Sequence, residues 1–136
     1  MALQGSSREQ QIWNKLFETY HNAYGVAALM GNIDAESGLN PKNLQNTFEK
    51  SLGYTDNSYT EAVDNGTYSN FVHDKAGYGL CQWTWWSRKQ AMLEWHRARG
   101  KSIGDLETQL EFLIHELSTN YKSVHSAIMS ATSVKS

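Results

Sequence analysis

The 136-residue sequence has few of the features that mark particular protein classes. Its single cysteine, Cys81, excludes an internal disulfide, so stability must come from packing. One proline, 40% hydrophobic and 12% aromatic residues suit one compact domain with a real core better than a disordered chain. No apolar run is long enough to cross a bilayer, and no signal-peptide pattern opens the chain. If the protein acts outside a cell, we expect another element to deliver it.

The net charge of -2 gives no basic surface, so neither nucleic acid nor membrane is an expected partner. The five histidines, at positions 21, 73, 96, 115 and 125, lack the spacing of zinc ligands, and no glycine-rich phosphate loop occurs. No metal or cofactor is therefore expected. A cysteine peptidase is a further alternative, but Cys81 lies in a predicted strand with no helix N-terminus close behind it. A small, buried, apolar role suits this cysteine better.

Hydrophobic periodicity predicts a mainly α (α+β) domain spanning residues 7–136, after a leader sequence at 1–6 that resembles an expression tag. The predicted helices cover residues 7–21, 23–37, 85–99, 105–118 and 121–131. The third of these is predicted to bury Ala91, Met92, Trp95 and Ala98.

The stretch from 39 to 66 has little periodicity, which is unusual in a small domain and is more often functional than idle. Residues 58–61 form a Ser-Tyr-Thr-Glu capping box, which predicts one short helix ending near 64–66. Residues 68–72 and 78–84 are predicted to pair as a small β-hairpin around the 73–77 loop.

Glu36 is the most informative residue because it continues the apolar stripe of the second helix. That stripe contains Val26, Met30 and Ile33, and Gly38 supplies a left-handed stop just beyond it. A carboxylate in the last helical turn faces the negative end of the helix dipole, and partial burial would remove its water. Both effects disfavour the ionised form. The pattern therefore predicts a half-buried proton donor at this position.

Two sequence motifs carry a family resemblance: GNIDAESGLNP at 31–41 and GYGLCQWT at 77–84. In this order they resemble the lysozyme superfamily, and most closely the lysozyme domains of bacteriophage tail and endolysin proteins, which are related to goose-type lysozymes and lytic transglycosylases. The resemblance covers most of residues 24–118. It implies a two-lobed fold with a groove and cleavage of the β-1,4 bond between N-acetylmuramic acid and N-acetylglucosamine of peptidoglycan, with Glu36 as general acid.

The resemblance also implies that the second motif forms a wall of the substrate groove. The predicted substrate-binding residues are Tyr78, Gly79, Leu80, Gln82, Trp83 and Thr84. The neighbouring tryptophans could stack on sugars or fill the core, and at least one of Trp83, Trp85 and Trp86 is expected in the core. The expected partner is bacterial peptidoglycan, bound by a monomeric domain of a larger protein at the cell wall.

Glycoside hydrolysis usually needs a second carboxylate. Animal-type lysozymes carry an aspartate directly before the Tyr-Gly of the hairpin, whereas this chain has Gly77 there. Asp74 is the predicted second carboxylate, although it could simply shape a turn, and Asp64 is the next candidate. Alternatively, Glu36 acts without either, as the resemblance to goose-type enzymes and lytic transglycosylases allows. A non-catalytic glycan-binding module is a further alternative from a different functional class.

Overall fold

The structure, a computed structural model, describes residues 7–134, and this part of the chain is mainly helical. Its seven helices are α1 (Ser7–Tyr20), α2 (Ala23–Ser37), α3 (Asn46–Leu52), α4 (Asp56–Asn65), α5 (Trp86–Ala98), α6 (Leu106–Asn120) and α7 (Lys122–Ser130). Helices α1, α2, α6 and α7 pack against one another, and α5 packs on α6. The predicted leader at 1–6 lies outside the described residues.

Helix α2 has the predicted boundaries, since both of its ends are fixed by local chemistry. The Asn22 side chain accepts hydrogen bonds from the backbone N–H groups of Tyr24 and Gly25, at 3.0 and 3.2 Å. At the other end Gly38 adopts φ 64°, and its N–H donates to the Asp34 carbonyl at 2.8 Å. The predicted left-handed stop at Gly38 is confirmed.

Helix α7 holds the beginning of α2. A side chain at Gly25 would overlap the Ile128 carbonyl, so only glycine allows the two helices this close. The Asn22 amide also donates to the carbonyls of Met129 and Ala131, at 2.8 and 3.0 Å. The same asparagine thus caps α2 and binds the end of α7.

The segment between α2 and α5 contains more helix than predicted. Helix α3 was not predicted, and α4 begins at Asp56 rather than near Ser58. The capping box pairs Thr55 with Ser58, so the predicted N-cap serine is the third residue of the helix. The predicted end at Gly66 is confirmed, with φ 84°.

The predicted β-hairpin is wrong. Residues 68–72 form no strand, because the Tyr68 N–H donates to the Ala62 carbonyl at 3.0 Å and a turn follows at 71–73. Tyr78 instead forms isolated antiparallel bridges with Trp83 and with Leu44. A tight 78–83 turn, paired on its outer side with the 43–45 segment, therefore replaces the hairpin.

Helix α5 buries a different face from the one predicted. Its buried residues are Lys89, Met92 and His96, whereas Ala91 and Ala98 are exposed and Trp95 is half-buried. The reason is a polar interaction: the ammonium of Lys89 binds the carboxylate of Asp74 at 2.6 Å inside the protein. This contact turns the lysine inward and moves the apolar stripe around the helix. No helix between residues 7 and 134 combines the length and hydropathy needed to span a bilayer.

Candidate active site

Glu36 is the penultimate residue of α2 and is exposed to solvent. The prediction that it is half-buried is wrong, because the buried stripe runs from Ile33 to Ser37, one full turn, and leaves Glu36 beside it. Ser37 is 5% exposed, and its hydroxyl donates to the Ile33 carbonyl at 3.1 Å. The carboxylate of Glu36 is therefore accessible to a large substrate at the end of a fixed helix.

The two sequence motifs meet at Asn43. The Asn43 amide donates to the Ser37 carbonyl at the end of α2, at 2.9 Å. Its own carbonyl accepts from the Gly79 N–H and from the Gln82 side chain, both at 2.9 Å. The end of the Glu36 helix and the 78–83 turn are thus joined through one residue, which lies outside both stretches of closest family resemblance.

The 78–83 turn presents fewer side chains to solvent than predicted. Tyr78, Leu80 and Trp83 are 0% exposed, so they form the core of the turn and cannot touch a sugar on the surface. The turn itself forces this arrangement: Gly79 and Gln82 take φ values of 84° and 51°, which break the alternation of an extended strand. The expectation that one of the three tryptophans is core is confirmed by Trp83.

Of the predicted wall, Gln82 and Thr84 remain at least partly exposed. The Gln82 amide nitrogen also donates to the Gly79 carbonyl at 3.0 Å, and Thr84 donates to the Gln82 carbonyl at 2.9 Å. Gly79 is buried, and its N–H is already used by Asn43. Gly79 therefore contributes the shape of the turn rather than a contact surface.

Gln109 is a positioning residue that sequence reasoning missed. It is 0% exposed, and its amide nitrogen donates to the carbonyls of Pro41 and Ile103, each at 2.6 Å. Its amide oxygen accepts from the Leu80 N–H at 3.1 Å. One buried side chain on α6 therefore holds three separate loops. The signal available in the sequence was a glutamine within the leucine stripe of this helix.

Asp74 does not fit the predicted role of second carboxylate. Its side chain is 0% exposed and accepts four hydrogen bonds: from the hydroxyls of Tyr59 and Tyr68, at 2.5 and 2.8 Å, from the Lys89 ammonium, at 2.6 Å, and from the Ala76 N–H, at 3.0 Å. Burial lowers the pKa of Lys89 despite this partner. The aspartate is a satisfied structural group that no substrate can reach.

Asp64, the next candidate, is also engaged elsewhere. Its carboxylate accepts from the Ser102 hydroxyl at 2.5 Å and from the Ile103 N–H at 2.9 Å. These bonds hold the loop between α5 and α6. Asp64 therefore serves that loop, and nothing in its contacts connects it with Glu36.

Burial and the charges of nearby residues both act on the thiol of Cys81. Burial raises the pKa of the Cys81 thiol to about 12; the positive charge of Arg88 opposes this rise, and the negative charges of Glu116 and Glu36 add to it. A thiol in this environment stays protonated at neutral pH, so it is a poor nucleophile. The cysteine peptidase alternative has no support here.

Glu116 is a second buried carboxylate that sequence reasoning missed. It is 3% exposed and accepts from the Trp83 indole N–H at 3.0 Å. Arg88 binds it through two hydrogen bonds of 2.8 Å, in the forked geometry that suits a guanidinium and a carboxylate. This pair fixes α5 and α6 to the core of the 78–83 turn.

Two tryptophans directly after the turn present their rings to solvent. Trp85 is 65% exposed and Trp86 is 47% exposed, and His73 stacks on Trp86 with a centroid distance of 5.9 Å. Within residues 7–134 no cluster of three or more His, Cys, Asp or Glu side chains could hold a metal ion. The groups exposed at the end of α2 and around the turn are thus the carboxylate of Glu36, the polar side chains of Gln82 and Thr84, and the two indole rings.

The arrangement of these groups can be compared with known proteins. No curated protein and no solved structure matches the chain significantly. A family described as phage tail lysozyme matches residues 7–136, which is nearly the whole sequence. The chain, with its accessible Glu36 beside the 78–83 turn, therefore belongs to the phage tail lysozyme family.

Proposed function

We propose that this protein cleaves the β-1,4 bond between N-acetylmuramic acid and N-acetylglucosamine in peptidoglycan, with Glu36 as the general acid. Membership of the phage tail lysozyme family supports a lytic activity on the bacterial cell wall. The observation that carries the residue assignment is the exposed carboxylate at the rigid end of α2, tied through Asn43 to the 78–83 turn.

An exposed carboxylate can still become a proton donor when substrate covers it. Glu36 sits in the last turn of α2, where unpaired carbonyl groups disfavour an added negative charge. A glycan strand lying over this helix end would displace water from the carboxylate and favour its protonated form. In this proposal the carboxylate of Glu36 becomes buried when substrate binds, whereas the sequence predicted that it is buried in the free protein.

The surface formed by the 78–83 turn and the residues just after it suits a polysaccharide. Gln82 and Thr84 offer polar groups at the turn, and the exposed rings of Trp85 and Trp86 offer flat apolar faces to sugars. We assign substrate contacts to these four residues. We further propose that the domain acts as a monomer and as part of a larger protein at the cell wall.

The engagement of Asp74 and Asp64 favours a second candidate, a lytic transglycosylase. In that reaction Glu36 protonates the leaving glycosidic oxygen, and the 6-hydroxyl of the muramic sugar attacks its own C1. This transfer leaves Glu36 as a carboxylate, which then takes the proton of the attacking hydroxyl, so the acid form of Glu36 is regenerated and no water is consumed. This route needs no second protein carboxylate. The hydrolytic route replaces the 6-hydroxyl with a water molecule.

The products of wall digestion separate the two routes. Digestion in heavy-oxygen water followed by mass spectrometry of the muropeptides shows whether water is incorporated. A labelled, reducing muramic end identifies a hydrolase, whereas an unlabelled 1,6-anhydro end identifies a transglycosylase. If neither product forms under conditions in which the folded protein binds the wall, the enzymatic proposal is overturned in favour of a binding module.

A further inference from the structure

A surface groove of about 450 Å³ lies between α5 and α6 and has no role in the cleavage step proposed above. Its lining includes Arg88, Glu94, Trp95, His115 and Asn120. The groove therefore presents a cation, a carboxylate and several hydrogen-bonding groups within one small volume. Such a mixed surface suits a ligand that carries charges of both signs.

Arg88 is oriented rather than freely moving. Its Nε and Nη2 atoms donate to the two oxygens of Glu116, each at 2.8 Å, and its Cζ lies 5.5 Å from the centre of the Tyr121 ring. Among the described residues, Nη1 has no hydrogen-bond partner, and the Arg88 side chain is 33% exposed. One edge of the guanidinium is therefore fixed and available to a carboxylate or carbonyl oxygen.

Trp95 forms part of the wall of the same groove. Its indole N–H is buried and has no hydrogen-bond partner within residues 7–134. The ring packs against His115, at 4.8 Å between ring centroids, and the Arg99 guanidinium carbon lies 3.3 Å from the ring centroid. The ring is thus held in place as a fixed part of the groove wall.

Glu94 supplies the negative group. It is exposed, and its carboxylate accepts only one hydrogen bond among the described residues, from the Gln90 amide at 3.2 Å. Its remaining acceptor capacity is free to receive an ammonium group.

The groove is connected to the proposed cleavage site. Glu116, which orients Arg88, also accepts from the Trp83 indole inside the 78–83 turn. The turn is also tied to the end of the Glu36 helix, because the Asn43 amide donates to the Ser37 carbonyl and the Asn43 carbonyl accepts from the Gln82 side chain. The α5–α6 groove and the end of α2 are therefore both joined by hydrogen bonds to the same short turn.

We propose that the α5–α6 groove binds the peptide stem of peptidoglycan, with a stem carboxylate on Nη1 of Arg88 and the stem ammonium on Glu94. This inference rests on the proposed function, because it assumes a peptidoglycan strand at Glu36. The stem leaves the muramic sugar beside the cleaved bond, and four extended residues reach about 14 Å. It carries carboxylates, carbonyl groups and, on its diamino acid, an ammonium, which match the groups of the groove.

The probe for this inference is the synthetic tetrapeptide L-Ala-γ-D-Glu-meso-diaminopimelate-D-Ala without any sugar. In a ¹⁵N-resolved NMR titration of the whole chain, the Trp95 indole N–H and the Arg88 Nε–H signals should shift, while the exposed indole of Trp85 should not. Titration with N-acetylglucosamine oligomers should leave the Trp95 signal in place. Absence of any Trp95 shift at saturating peptide, or an equal shift with the sugar oligomers, overturns the inference.

Two variants test the negative charge of Glu94 and the forked guanidinium of Arg88, and both leave Glu116 with a cationic partner. Glu94→Gln keeps the acceptor for Gln90, and Arg88→Lys keeps a cation beside Glu116. Each should weaken tetrapeptide binding about fivefold or more. The matched control is Glu61→Gln, which neutralises an exposed carboxylate on α4 and should leave the affinity unchanged. Equal affinity in all three variants contradicts the assignment of the stem to these charges.

The two proposals can fail separately. Glu36→Gln should stop cleavage and leave tetrapeptide binding intact. Cleavage of walls by the natural sequence without any tetrapeptide binding defeats only the stem-binding inference. Tetrapeptide binding together with full cleavage by Glu36→Gln defeats only the assignment of the acid.

Discussion

The end of α2 and the interior beneath α5 hold the two carboxylates that the sequence singled out, in opposite environments. Glu36 is exposed at a helix end, whereas the side chain of Asp74 is fully buried and accepts hydrogen bonds from four donors. A group that must exchange a proton with substrate has to be reachable, and a group that satisfies buried donors cannot leave them. The difference in exposure supports the proposed catalytic role of Glu36 and gives Asp74 a structural role in the core.

Glu36→Gln tests the chemical side of this comparison and should have the largest effect. Removing a general acid typically costs about 100-fold to 10,000-fold in rate, so release of muropeptides from purified walls should fall by that amount. Because the side chain is exposed, the urea midpoint of unfolding should stay unchanged. Lysis at the natural rate by the folded variant would falsify the assignment of Glu36.

Asp74→Asn tests the structural role of the buried carboxylate. It should lower stability and leave cleavage unchanged, which is the reverse of the effect of Glu36→Gln. It leaves the Lys89 ammonium buried without its carboxylate, so the free energy of unfolding should fall by about 3–5 kcal/mol, as measured by urea denaturation. Cleavage per folded molecule should remain near the natural value.

The double variant Asp74→Asn with Lys89→Met is the matched control for this prediction. It removes both charges and should be less destabilised than the sum of the two single changes. A large loss of cleavage in Asp74→Asn at a temperature where it is fully folded would contradict the division between the two regions.

Gln109→Leu probes the connection between the regions, because this buried residue holds the turn but touches neither carboxylate. The change leaves a backbone N–H and two carbonyls without their partner, at a cost of about 1–3 kcal/mol for each group that water cannot reach. We expect lower stability together with slower cleavage at saturating substrate in the fraction that remains folded. Lower stability with unchanged cleavage would show that the turn needs no such support.

The smallest expected effect is a change in the pH dependence of stability, caused by the buried His96. Burial lowers the pKa of His96 from 6.5, and its Nε2 atom has no partner within the described residues. The unfolded chain therefore takes up the proton first, so stability present above about pH 6.5 is lost as the pH falls below it. Urea midpoints measured between about pH 7.5 and 5 should decline in the natural chain and decline less in His96→Gln. The exposed His21→Gln control should retain the full decline.

The predicted parts of the fold are those fixed by neighbouring residues. Asn22 and Gly38 lie next to the helix they delimit, and the α2 boundaries followed from them. The buried face of α5 was mispredicted because Lys89 is drawn inward by Asp74, fifteen positions away in sequence. Periodicity treats a lysine as a surface residue and contains no information about such a partner.

In the candidate site, too, the features set by neighbouring residues were predictable and those set by distant contacts were not. Glu36 and the second motif could be found from local pattern and family resemblance, but the exposure of Glu36 depends on which neighbouring elements cover the end of α2. Tyr78 and Trp83 were assigned to a sugar-binding wall from the family resemblance, but the left-handed Gly79 and Gln82 shape a turn in which both side chains are buried. Gln109 joins residues up to 68 positions apart, a relation that only the folded chain reveals.

The contact of Gly25 with Ile128 has a mechanical consequence for Glu36. Helix α2 has 15 residues and is therefore a stiff rod about 22 Å long, with its base fixed against α7 and Glu36, the proposed acid, near its tip. A small tilt at the base is converted by this length into a larger displacement of the carboxylate. The rate of wall cleavage should thus respond to mechanical load applied at α7, on the opposite end of the rod from the bond being broken.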